Sequence, residues 1–146
     1  MRFINSIYDS KTGYSRVIIE HMGKRFFGMA YLHPEDKDKA SKYAGCSYAE
    51  TRAEIKALKY ERKIAKEKAE EFRKIVKACE QYKNWDKNSP SAKIIYRQLN
   101  LKIRKVNELT DIINQKMKNL EKAIWKRDIT IKAFERNRSK KINMSK

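Results

Sequence analysis

The chain is short of the residues that break helices: 146 residues contain only 2 prolines and 4 glycines. With 37% charged residues, this describes a helix-dominated, elongated molecule with a thin core rather than a compact globule. Cysteine is scarce too. Cys46 and Cys79 stand far apart, and Cys79 falls on an apolar stripe, so they read as small core residues of a reducing compartment rather than a disulfide. Nowhere do eighteen uncharged apolar residues run together, and Met1 to Tyr8 lacks the apolar run of a signal peptide. Neither a membrane span nor a membrane partner is expected, and the cytoplasm is the expected location.

Catalytic equipment is equally sparse. There are two histidines, His21 and His33, and no Gly-rich phosphate loop, nucleophile elbow or spaced Cys/His metal set. His33 beside Pro34, Glu35 and Asp36 has the makings of an acid–base or metal site, but a histidine at a strand end next to a proline turn reads first as structural. No catalytic residue, metal ligand or cofactor is therefore assigned, and the chain is not expected to be an enzyme.

What the sequence has in abundance is positive charge. Lys and Arg number 36 against 18 acids, a net charge of +18. The last third, residues 90–146, holds 16 basic and 5 acidic side chains, an excess of +11. Such a surplus favours a phosphate-bearing or polyanionic partner, since a solvated face normally mixes signs. Lys, Ile and Asn are together abundant, as AT-rich coding makes them, so a compositional origin for part of the charge stays open.

Hydrophobic periodicity sets the architecture. Ile55, Leu58, Ala65, Ala69, Phe72, Val76 and Cys79 keep the alternating three-and-four spacing of a coiled-coil seam, with Arg62 alone out of place. Ser47 and Glu50 match a capping box, which predicts a first long helix over about 48–84. The loop formers Asn84, Asp86, Asn88 and Ser89 end it. Ser89-Pro90 restarts a helix as N-cap and first helical residue. Ile95, Leu99, Ile103, Val106, Ile113, Met117, Leu120, Ile124 and Ile131 carry that second helix over about 90–135, leaving 136–146 as a basic tail.

Upstream, residues 1–46 predict a sheet and turn. Arg2 to Tyr8, Tyr14 to His21 and Arg25 to Leu32 are rich in Ile, Val, Phe and Tyr and are separated by turn-like segments. Both faces of the third run are apolar, so the sheet should bury its second face against the helices or another subunit. His33-Pro34 closes the third strand, and Glu35 to Tyr43 predicts a short helical turn closed by Gly45. The fold class is α+β: a small N-terminal antiparallel three-stranded sheet followed by a long two-helix coiled-coil-like hairpin. At about 55–65 Å, from 1.5 Å per residue, a bare hairpin cannot enclose a pocket, so another chain must complete it.

Candidate binding residues gather around the hairpin loop. Tyr82, Asn84, Trp85 and Asn88, with Lys83 and Lys87, lead into a helix whose first turns carry Lys93, Tyr96, Arg97 and Arg104, the two arginines seven residues and about 10 Å apart on one face. Rings beside cations are what a base plus phosphates require: the ring stacks on the base and the guanidinium forks onto phosphate oxygens. A plainer reading stands beside it, in which Tyr82 and Trp85 cap the hairpin core and the arginines are solvated. Lys118, Lys122, Lys126 and Arg127 form a further stripe that would suit a nucleic-acid backbone.

The order of features, a small antiparallel sheet, an HPED-type turn at His33 to Asp36, a Gly45 break, then Ala49-Glu50-Thr51-Arg52-Ala53-Glu54-Ile55-Lys56-Ala57-Leu58-Lys59 opening two long helices, resembles the first Thoeris anti-defence family of phage proteins. The resemblance implies a sponge in the cytoplasm of an infected bacterial host. Such a protein sequesters cyclic ADP-ribose isomers made by TIR immune enzymes, blocking Thoeris signalling without cleaving the signal, and some members also take up cyclic oligonucleotides at a separate site. It also implies homo-oligomers, dimers and hexamers assembled through the sheets, with ligand sites between subunits. By residue type, Tyr82 or Trp85, Asn84 or Asn88, and Arg97 or Arg104 match the family's site, and Arg52 is the candidate for the second site. The alternative function is a basic coiled-coil protein that binds nucleic acid or inhibits a nucleic-acid-guided defence nuclease.

Overall fold

The computed structural model describes residues 1–31 and 39–144, with side chains for residues 1–31 and 42–126. Three strands, β1 (Arg2–Asp9), β2 (Tyr14–His21) and β3 (Lys24–Tyr31), precede two helices, α1 (Lys39–Glu80) and α2 (Pro90–Met144). The α+β architecture is thus a three-stranded antiparallel sheet in the order β1-β2-β3, followed by two long helices.

Turn chemistry explains the meander. Met22 and Gly23, with φ of 54° and 75°, form the two-residue β2–β3 turn, whose positive dihedrals match the twist of the flanking strands. Asp9 holds the β1–β2 loop by accepting from the Lys11 amide at 2.9 Å through its side chain and from the Gly13 amide at 2.9 Å through its carbonyl. Between Phe3 and Asn5 a bulge shifts the β1–β2 register, which bends the open edge of the sheet.

α1 is the spine of the molecule, with the sheet on one side and α2 on another. Ala49, Ala53 and Ala57, four residues apart and fully buried, lie against Val17, Ile19 and Ala30 of the sheet. These small side chains let the helix axis come close. At Gly28 a Cβ would stand 1.7 Å from the Ala49 carbonyl oxygen, so only glycine fits. Arg52 and Lys56, one turn apart, donate to the Met29 and Phe27 carbonyls of β3 at 2.6 and 2.7 Å, occupying acceptors that an edge strand would otherwise offer to another chain.

The opposite seam of α1 meets α2. Ile55 and Leu58 pack with Leu109 and Ile113, flanked by Ala65 and Leu120. Cross-links at Tyr48–Ala123, Glu54–Lys116, Arg62–Thr110 and Glu80–Tyr96 fix the helices as an antiparallel hairpin. Arg62, the break in the heptad, turns its guanidinium to the Thr110 hydroxyl at 3.4 Å. Among the described residues, α2 packs on no element but α1.

Element bounds differ from the sequence reading at three places. α1 begins at Lys39 instead of about 48, and buried Gly45 lies inside it rather than breaking it. Ser47 is consequently one more helical turn, its carbonyl accepting from the Thr51 hydroxyl at 3.0 Å. A mid-helix glycine costs only about 1 kcal/mol relative to alanine, too little by itself to end a helix. At its other end α1 stops at Glu80, not 84. α2 continues to Met144, past the expected end at 135 and through most of the expected tail. No proline or glycine follows Pro90, so nothing local stops it. The start at Pro90 is as expected: the Ser89 hydroxyl accepts from the Ala92 amide at 3.2 Å, an N-cap bond. The turn at His33 to Asp36 and the side chains of Arg127 and Ile131 lie outside the described residues.

Candidate functional site

Two regions of the hairpin carry polar chemistry. At the loop end, Trp85 and Tyr96 meet edge to face with ring centroids 6.2 Å apart. The indole Nε1 donates to the Tyr96 hydroxyl at 3.3 Å, and that hydroxyl donates to Glu80 Oε1 at 3.0 Å. This chain ties the last turn of α1 to the first turns of α2. Its origin is local: the Asp86 side chain accepts from the Asn88 amide at 3.0 Å and its carbonyl from the Ser89 hydroxyl at 2.9 Å, folding the loop so that Trp85 turns back over the helix it precedes.

The candidate residues are not gathered into one constellation. Trp85 is half-buried in the cluster just described, whereas Tyr82 is 75% exposed and Asn84 and Asn88 are exposed. Arg97 and Arg104 are exposed on α2, and no described acidic side chain pairs with either. Arg52, the candidate for a second site, is engaged with the sheet through its bond to the Met29 carbonyl. Tyr96 is among the residues that the sequence reading places beside the loop, whereas Glu80 is not; its signal is the spacing of 16 residues across a short loop in an antiparallel hairpin.

The second region is an ion cluster at the junction of β2, α1 and α2. His21 Nε2 lies 2.8 Å from Glu61 Oε2, and Lys105 Nζ lies 3.5 Å from Glu61 Oε1. Burial pushes the Glu61 carboxyl upward, but the His21 hydrogen bond and the charges of Lys105 and His21 outweigh it and hold the group below the ordinary carboxylate value. The neighbouring Lys24 ammonium sits 4.5 Å from the centre of the Tyr60 ring, and Phe26 packs on the same ring at 5.6 Å. This cluster fastens the sheet's turn end to the hairpin.

Next to it, on one side of the hairpin, runs an open groove of about 230 Å³ lined by Ala65 and Lys68 of α1 and Gln98, Leu101, Lys102 and Lys105 of α2. A second recess of about 180 Å³, lined by Ser47, Tyr48, Thr51, Lys116, Asn119, Leu120 and Ala123, lies nearer the sheet; there Lys116 is tied to Glu54 at 2.8 Å. Among the described residues no three His, Cys, Asp or Glu side chains converge as a metal site, and no helix is long and apolar enough to cross a membrane. Compared with protein-family models, curated proteins and solved structures, the chain finds no match.

Proposed function

We propose that the protein captures a phosphate-bearing cyclic nucleotide, of the cyclic ADP-ribose type, and holds it without cleaving it, so that a TIR-based Thoeris signal is withdrawn from the host cytoplasm. The observation that carries this reading is the pair Arg97 and Arg104, exposed on one face of α2, with no described acid against either. Two guanidiniums about 10 Å apart along the axis suit a compact polyanion. Trp85 and Tyr96, at the same end of the hairpin, offer ring surface for a base.

A site on so slender a hairpin needs a second copy of the chain to cover it, and the sheet offers a surface for one. Its face away from α1 carries Ile7, Phe27, Met29 and Tyr31, between 43% and 73% exposed. In its middle the buried Nε of Arg16 lacks a hydrogen-bond partner. Burying that face between copies would remove an apolar patch from water and place the hairpins of an oligomer side by side.

The test is calorimetric titration of the full chain with cyclic ADP-ribose isomers at low and high salt, followed by recovery of the ligand after heat denaturation. Tight binding that tolerates salt, with intact ligand released, supports capture in a pocket. Absence of heat at either salt overturns it. The alternative, nucleic-acid binding, is favoured by exposed Lys118, Lys122 and Lys126 on α2. It predicts affinity for duplex DNA or RNA that falls steeply with ionic strength, as several phosphate contacts require.

A further inference from the structure

We propose that the groove between α1 and α2 bounded by Lys68, Lys102 and Lys105 is a phosphate subsite, where the pyrophosphate of an anionic nucleotide lies along the hairpin. The assignment rests on the reading of the protein as a nucleotide binder and adds an anion contact beside the arginines.

Three lysines line one groove whose other lining residues, Ala65, Gln98 and Leu101, carry no charge. Like charges brought to one groove with a single carboxylate, Glu61, paired to one of them leave a positive excess, and a dianion offsets it. The described partners leave this charge largely uncompensated. Lys68 makes no described ion pair. Lys102 lies 5.4 Å from the centre of the Phe72 ring. Lys105 reaches Glu61 only at 3.5 Å, with its side chain 56% exposed, while the other oxygen of that carboxylate is held by His21 at 2.8 Å. Ala65 keeps the α1 wall low, and Leu101, 46% exposed, gives an apolar surface on which a sugar or base can rest.

Volume sets the ligand's share of the groove. Some 230 Å³ is less than the ~300–1,000 Å³ of pockets that enclose a whole drug-sized ligand, so the groove takes one part of a larger molecule. Helical geometry supplies the rest. At about 100° per residue, Gln98 and Lys105 fall on the groove side of Leu101, and Arg97 and Arg104 fall within about 60° on its solvent side. A nucleotide anchored by its phosphates in the groove thus passes over Leu101 toward the arginines.

The experiment measures binding of inorganic pyrophosphate, and separately of cyclic ADP-ribose isomers, to the full chain and to Lys68→Gln, Lys102→Gln, Arg97→Ala and Arg104→Ala. Lys68→Gln is the cleanest variant, since it removes no described contact; unchanged melting temperature verifies the fold. Pyrophosphate affinity should fall about tenfold in each lysine variant, the loss of one charge-assisted contact, and fall less in each arginine variant. If the arginine variants lose pyrophosphate and the lysine variants keep it, the subsite is overturned while the nucleotide reading survives. Binding of pyrophosphate through the lysines without any binding of cyclic ADP-ribose isomers supports the subsite and removes that ligand. A wild-type chain that binds no pyrophosphate overturns the subsite outright.

Discussion

Gly28→Ala tests the closest approach in the molecule. The added methyl carbon would stand 1.7 Å from the Ala49 carbonyl oxygen and 2.6 Å from the Ala53 nitrogen, and real Cβ contacts stay above 3.0 Å. Both obstacles are backbone atoms of α1, so no rotamer change relieves the clash. The helix must back away from β3 by at least about 1.3 Å, parting Ala49, Ala53 and Ala57 from Val17, Ile19 and Ala30. Overpacking commonly costs about 1–3 kcal/mol, and with rigid backbone on both sides the expected cost is about 3 kcal/mol or more. For a chain of this size that is a fall in melting temperature of about 6–12 °C, followed by far-UV circular dichroism. Gly23→Ala is the control: φ is 75°, but nothing lies within 4 Å, so it incurs only the left-handed backbone penalty of about 1–2 kcal/mol. A Gly28→Ala protein as stable as Gly23→Ala would refute the close docking of α1 on the sheet.

Other predictions follow from the same contacts. Because the Glu61 carboxyl is held below its ordinary value, its bonds to His21 and Lys105 stabilise the fold above the unfolded-state pKa of about 4.3 and are lost as pH falls through the lower folded value. Glu61→Gln should therefore lower stability near pH 6 and flatten the loss of stability below about pH 4.3; urea midpoints measured from pH 7 to pH 3 that run parallel in wild type and variant would remove the cluster's role. Met22 holds φ of 54° in a two-residue turn where Asn is preferred, so Met22→Asn should raise stability by about 0.5–1 kcal/mol, read as a higher urea midpoint with unchanged slope.

The parts of the fold legible in the sequence are those set by strong local or periodic signals. The three strands appear within one or two residues of their expected bounds because Ile-, Val- and aromatic-rich runs are punctuated by turn formers, and Ser89-Pro90 starts α2 as its cap chemistry requires. The apolar spacing of Ile55, Leu58 and Val76 correctly marks a buried seam. Leu109, buried against that seam, escaped the expected stripe on α2, while Met117, assigned to it, is 38% exposed. Two antiparallel helices share a core stripe that drifts, and single residues at its margins trade places. The start of α1 was hidden for another reason: Ser47 and Glu50 have the right identities for a cap, yet the helix runs through both from Lys39, with Gly45 buried inside it.

For the candidate site, residue type located the chemistry but not its geometry. Of the aromatic and amide residues at the loop, Trp85 pairs with Tyr96 and through it with Glu80, a contact across the hairpin that depends on its register. The same dependence governs the lysine groove. Lys68 lies more than thirty residues from Lys102 and Lys105 in sequence, in a chain where a Lys is never far away, and nothing local marks these three out. What distinguishes them is the antiparallel pairing that sets Ala65 and Lys68 beside Leu101, Lys102 and Lys105, with Glu61 the one acid described as paired to any of the three lysines. In a highly basic chain, then, the informative quantity is not how many cations a face carries but where packing withholds the carboxylates that would neutralise them, and that follows from helix register rather than composition.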